Sequence, residues 1–105
     1  MDQKTLIRKL KTYGLTDFQE KVLVATYGIP LGETRTYKEI SKQIGHPNAY
    51  RAVGSALKIN PMAPIVPCHR VVKSSGELGN YSAPGGIRKK RAMLLKEGAL
   101  RSAHK

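Results

Sequence analysis

Three prolines in seven residues, Pro61, Pro64 and Pro67, lead directly into the only cysteine of the chain, Cys68. Each proline fixes its own φ and removes an amide donor, so this stretch is a stiff loop and not part of a regular element. His69 follows the cysteine at once, and Arg70-Val71-Val72 follow the histidine. A single thiol in such a frame either fills core space or is a nucleophile held in a rigid loop. Free cysteine is among the most buried residue types, so the loop alone leaves both readings open.

The chain has 105 residues, of which 40% are hydrophobic, which suits one domain with one modest core. No apolar run approaches the ~20 residues that span a bilayer. Met1-Asp2-Gln3-Lys4 is polar and does not read as a signal peptide. One cysteine cannot form an internal disulfide, so a cytoplasmic location is expected. Nineteen Lys and Arg against seven Asp and Glu give a formal charge of +12. Such a field favours polyanions. Nucleic acid is the first candidate partner and an anionic membrane the second. A purely electrostatic binder would share this bias.

Local signals lay out a series of short helices. Leu6, Ile7 and Leu10 can form one face of a lead-in helix that Gly14 ends. Thr16 and Gln19 make a capping box, and Phe18, Val22, Leu23 and Ala25 follow at helical spacing. Leu31-Gly32-Glu33 reads as a turn and Thr34-Arg35 as a short extended piece. Thr36 and Glu39 form a second capping box, ahead of a helix that turns Ile40 and Ile44 inward and ends at Gly45. Asn48 is placed to cap the next helix, about Ala49 to Ile59, whose inner face would be Ala52, Val53, Ala56 and Leu57. Beyond the cysteine, Arg70-Val71-Val72 and Leu78 flank a Gly turn and read as a small hairpin. The glycine-rich stretch 79–86 lacks the spacing of a phosphate loop. A last helix, about Gly86 to Glu97, would turn Ile87, Leu94 and Leu95 inward, carry Arg88, Lys89, Lys90 and Arg91 near its start, and end at Gly98.

Two short helices joined by a Gly-containing turn form a helix-turn-helix, in which the second helix approaches DNA. Arg51 lies in the first turn of that second helix. A plain helical hairpin with an exposed arginine fits the same residues; the +12 charge favours DNA. The expected fold is therefore mainly α: a small helix-turn-helix domain, winged-helix-like, with a short β-hairpin and a closing C-terminal helix. The expected division is a lead-in over 1–15, a DNA-binding domain over 16–98 and a tail over 99–105.

A cysteine attacks as its thiolate, which needs a base or a cation to form near neutral pH. Side chains of neighbours in an extended loop point to opposite sides, so a direct contact between Cys68 and His69 does not follow from their adjacency, and a bridging water is physically reasonable. A histidine base also needs a partner for its other nitrogen, usually a carboxylate, and Glu97 is a candidate. No metal or cofactor is expected, because Cys68 and His69 lack chelating spacing and His46 and His104 stand in unrelated contexts.

Pro67-Cys68-His69-Arg70-Val71-Val72, then Gly79-Asn80-Tyr81, then Leu94-Leu95-Lys96-Glu97-Gly98 resemble the active-site domain of the O6-alkylguanine-DNA alkyltransferases. Phe18-Gln19-Glu20-Lys21-Val22, Gly32-Glu33, Thr36-Tyr37, Arg51-Ala52-Val53-Gly54 and Asn60-Pro61 agree with it, so the likeness covers residues 16 to 98. It implies direct-reversal repair. Such a protein binds double-stranded DNA in the minor groove, flips out an O6-alkylguanine and moves the alkyl group irreversibly to its own cysteine, once per molecule. Carried over, Cys68 would be the acceptor. His69, through a water, would take its proton, and Glu97 would orient His69. Tyr37 would donate to guanine N3. Within the Tyr81 loop, the Ser82 amide would face O6, and the carbonyls of Cys68 and Val71 would receive the exocyclic amine. Arg51, next to Ala52 on a face of small residues, would fill the space left in the stack. Asn60 would tie the helix to the cysteine loop.

The resemblance also implies a monomer without a cofactor, and leaves open whether copies bind side by side on DNA. Many relatives carry an extra N-terminal domain, whereas about fifteen residues precede the match here. A close class, the alkyltransferase-like proteins, has tryptophan in place of the cysteine and senses lesions for nucleotide excision repair without transfer. That class and a small transcription regulator are the alternatives.

Overall fold

The computed structural model describes residues 2–75 and 86–98. Helix α1, Gln3–Leu10, starts where the Asp2 side chain accepts from the Thr5 amide. It runs through a 3-10 turn, Lys11–Tyr13, to Gly14. Helix α2, Asp17–Tyr27, carries the full Thr16/Gln19 capping box. Strand β1, Arg35–Thr36, runs straight into α3, Tyr37–Gln43, through the Thr36/Glu39 capping box. Helix α4 spans Tyr50–Lys58. Cys68–Arg70 form a 3-10 turn, β2 is Val71–Val72, and α5 spans Gly86–Lys96.

The core lies where α2 backs the α3–α4 pair. Val22, Leu23, Ile40, Val53, Ala56 and Leu57 are buried there, with Val66 and Val71 from the cysteine segment. Leu6 and Leu10 of α1 belong to the same cluster. The α3–α4 turn is closed by the His46 amide on the Ser41 carbonyl and by the Ser41 hydroxyl, which donates to the carbonyls of Lys38 and Pro47. These are the two helices of the expected helix-turn-helix.

Three expectations are corrected. Asn48 does not cap α4: the cap residue is Ala49, without a side-chain bond, because a main-chain bond from Ala49 to His46 closes the turn first. Ala52 is exposed, since at its angle on α4 it points away from the Val53–Ala56–Leu57 stripe. Ile87 is 53% exposed, and the buried stripe of α5 is Lys90 and Leu94, four residues apart. Strand β2 pairs in parallel with β1, Arg35 beside Val71 and Thr36 beside Val72, so the sheet joins distant segments. The return arm expected at Leu78 lies outside the described residues.

This two-residue ladder sets the site. Thr36 caps α3 and is also the last sheet partner of Val72, so Tyr37, the first helical residue, starts beside the segment that follows Cys68.

Candidate active site

The cysteine is reached through a chain of local bonds. The Val66 amide donates to the Met62 carbonyl, the Cys68 amide to Val66, and the Arg70 amide to Pro67. Asn60, just past α4, spans this loop: its Nδ2 donates to the Val66 carbonyl at 2.8 Å and its Oδ1 accepts from the Met62 amide at 3.0 Å. The segment is a 3-10 turn and not extended, so Cys68 and His69 are not on opposite sides, as expected for an extended loop. Cys68 is half-buried while His69 is 2% exposed.

Behind the thiol, His69 Nε2 meets Glu97 Oε2 at 2.9 Å. Arg70 grips the same carboxylate from the other side. Glu97 is held below the usual carboxylate range, chiefly by the Arg70 hydrogen bonds, against burial, with His69 adding to the effect. An ionised carboxylate only accepts, so Nε2 carries a proton; in the neutral ring the lone pair is then on Nδ1, which is buried.

In front of the thiol lies a cavity of about 540 Å³. Cys68, Tyr37, Gly54 and Arg51 line it, and Lys38, Lys58 and Lys73 stand at its wall. A side chain at Gly54 would stand 3.8 Å from the Tyr37 ring, so the absence of one leaves the ring open to the cavity. Burial pushes the Tyr37 hydroxyl up from its ordinary value, with the Cys68 charge adding to this, so Tyr37 stays a proton donor. Burial pushes the Cys68 thiol up as well. The Asn60 side chain opposes this most, followed by the charge of Lys90 and the backbone amides.

Of the residues singled out from sequence, the structure brings Cys68, Tyr37 and Arg51 to one cavity and His69 and Glu97 into one hydrogen-bonded pair behind it. Arg51 is exposed on the first turn of α4, next to exposed Ala52. The Val71 side chain is in the core and its carbonyl accepts from Lys90. Tyr81 and Ser82 lie outside the described residues. Arg70 and Lys90 were not singled out from sequence. The only signal for Lys90 was its i, i+4, i+7 spacing to Leu94 and Glu97. Among the described residues, no group of three or more His, Cys, Asp or Glu could hold a metal ion.

Residues 17–99 match the family model for the 6-O-methylguanine DNA methyltransferase DNA binding domain. The chain belongs to this family. A methylated-DNA–protein-cysteine methyltransferase of Mycobacterium tuberculosis is 58% identical over 79 residues, 75% of this chain and 47% of the relative. The chain thus spans about half the length of the curated relatives it matches. Among solved structures, Mycobacterium tuberculosis OGT in complex with DNA aligns with a TM-score of 0.77 at 55% identity, over 81% of this chain and 52% of that one. S. pombe Atl1 in complex with damaged DNA containing O6-carboxymethylguanine aligns at 0.71 and 34% identity, over 80% and 78%. No described helix is long and apolar enough to cross a membrane.

Proposed function

We propose that this chain repairs DNA by taking the alkyl group of O6-alkylguanine onto Cys68, irreversibly and once per molecule. The observation that carries the reading is the shared cavity: a half-buried thiol and a phenol line one space of about 540 Å³, roomy enough for a flipped base, with a carboxylate-bonded histidine next to the cysteine in the chain. The His69 lone pair, through a water, takes the thiol proton. The sulfur attacks the alkyl carbon, the S–C bond forms, and the C–O6 bond breaks with its electron pair going to the purine. Tyr37 protonates N3, so guanine leaves neutral, and the proton held on His69 returns the phenol to its starting state through solvent. Asn60 fixes the loop geometry, the carbonyls of Cys68 and Val71 take the exocyclic amine, and the Ser82 amide with Tyr81 closes the O6 side.

Residues 16–98 form the working domain on this reading. It binds duplex DNA from the minor groove as a cytoplasmic monomer without a cofactor. Arg51 enters the stack from exposed α4 beside Ala52. Flipping costs a few kcal/mol, and less for a poorly pairing alkylated base. An arginine plane can stack in the gap and meet phosphate charge.

The test is intact-protein and peptide mass spectrometry after incubation with a duplex holding one O6-methylguanine. Gain of one methylene at Cys68 with loss of the lesion is expected. Cys68→Ala should transfer nothing while still binding DNA. The likeness to Atl1 on damaged DNA favours one second reading, a lesion sensor that recruits nucleotide excision repair. Lesion-selective binding with no mass gain would establish that reading and overturn transfer.

A further inference from the structure

Two tyrosines line the cavity in front of Cys68, and each opens a helix just before a cation: Tyr37-Lys38 starts α3 and Tyr50-Arg51 starts α4. Tyr37 has a part in the alkyl-transfer reading, whereas Tyr50 has none. Helix structure does not account for Tyr50. The cap of α4 is Ala49, the buried stripe is Val53, Ala56 and Leu57, and Tyr50 is 38% exposed. Residues four apart share a helix face, so Tyr50 and Gly54 stand one above the other on α4. At Gly54 an added Cβ would stand 3.8 Å from the Tyr37 ring, and Tyr50 extends the same cavity wall by one turn. The Lys38 Nζ lies over the Tyr50 ring, 5.4 Å from its centroid. A cation over an aromatic face is attracted to the ring and restrains it. The first turns of α3 and α4 thus place a restrained aromatic surface in the cavity that holds the thiol.

We propose that Tyr50 is a base-binding residue of this site, whose ring is the stacking wall for the extruded purine, with Lys38 holding the ring in place. The proposal rests on the base-extrusion part of the alkyl-transfer reading and not on transfer itself. Every base has a π-face, so an aromatic wall binds an unstacked base without reading its edge. It returns part of the stacking that the base loses on leaving the duplex. Neighbours on a helix project about 100° apart around its axis. Arg51 can therefore fill the gap in the duplex while Tyr50, one residue before it, takes the base that left.

Tyr50→Leu keeps apolar bulk and removes the ring face, and Tyr50→Phe keeps the face. Single-turnover transfer is measured from two substrates: a duplex holding one O6-methylguanine, and free O6-methylguanine base, which needs no flipping and has no backbone. Tyr50→Leu should slow both about tenfold, within the range that one base stacked on an aromatic side chain contributes, and Tyr50→Phe should slow neither by more than about twofold. A loss confined to the duplex would make Tyr50 a groove contact and overturns the proposal, as does a Tyr50→Leu protein as fast as wild type. With the free base, Lys38→Met should slow transfer by less than Tyr50→Leu does. Adding Lys38→Met to Tyr50→Leu should cost nothing more, because the lysine acts through the ring. Losses that multiply overturn the hold by Lys38. Binding gives a readout without transfer. In Cys68→Ala protein, the ratio of affinities for the O6-methylguanine duplex and the undamaged duplex should fall when Tyr50→Leu is added, and an unmoved ratio overturns the stacking wall. If wild type transfers nothing while this ratio still falls, the alkyl-transfer reading fails and the stacking wall stands.

Discussion

Arg70 holds Glu97 through two nitrogens, Nε to Oε1 at 2.8 Å and Nη2 to Oε2 at 3.1 Å, across 27 positions of sequence. Its third nitrogen, Nη1, donates to the Ile29 carbonyl beyond the end of α2 at 2.9 Å. One guanidinium thus fixes the end of α5 to the end of α2 and keeps the carboxylate ionised for His69. A carboxylate held this way is a poor proton acceptor, and on the alkyl-transfer reading its part is to orient the histidine.

Arg70→Lys should not be conservative. A lysine places one point charge where the guanidinium makes a planar fork. The loss expected is about 1.5–3 kcal/mol, the range for hydrogen bonds to charged groups. Urea unfolding measures it, and a stability equal to wild type would show that the fork contributes nothing.

Glu97→Gln should slow transfer about a hundredfold, the lower range for losing an oriented acid–base group. It should also change the acid limb of stability. Glu97 titrates below its unfolded value, so its contribution is complete above about pH 4.3 and fades as pH falls through its lower folded value. Urea midpoints against pH should fall more steeply on the acid side in wild type than in the variant. Identical slopes would refute the assignment.

Gly32→Ala should disturb the same corner from the backbone. Gly32 has φ of +85°, and an added Cβ would stand 3.2 Å from the Glu97 carbonyl oxygen. The left-handed conformation alone costs about 1–2 kcal/mol for a residue with a Cβ. The variant should melt earlier and transfer more slowly, since the rigid contact shifts Glu97. A thermal melt and a single-turnover rate on the same sample decide this. A variant that melts with wild type counts against the strain.

Arg51→Ala should separate binding from flipping. Arg51 is one of many cations in a chain of net charge +12, so affinity for undamaged duplex should change by less than about threefold. Transfer should drop at least about tenfold, because the gap left by the flipped base is no longer filled. Gel shift and stopped-flow fluorescence of a base opposite the lesion report the two steps. Equal losses in both would remove the intercalating role.

The helix starts were legible in sequence because their signals are local. A Thr side chain and the Gln or Glu three residues on satisfy each other's amides whatever packs later, and Thr16/Gln19 and Thr36/Glu39 both do so. Gly14, Gly45 and Gly98 stop chain segments by the same local logic, each with positive φ. The cysteine motif was legible as a string, and with it Cys68, His69 and the distant Glu97. Tertiary structure alone decided the rest. Which residue in the run Arg88–Arg91 is buried depends on the angle at which α5 meets the 3-10 turn, and four consecutive basic residues look alike until that angle is set. The strand Val71–Val72 carries no mark of its partner, and a parallel pairing with Arg35–Thr36 exists only once α2, α3 and α4 have packed. The fork between Arg70 and Glu97 is of the same kind: complementary charges say that a pair can form, and only the folded path of the chain brings these two within reach.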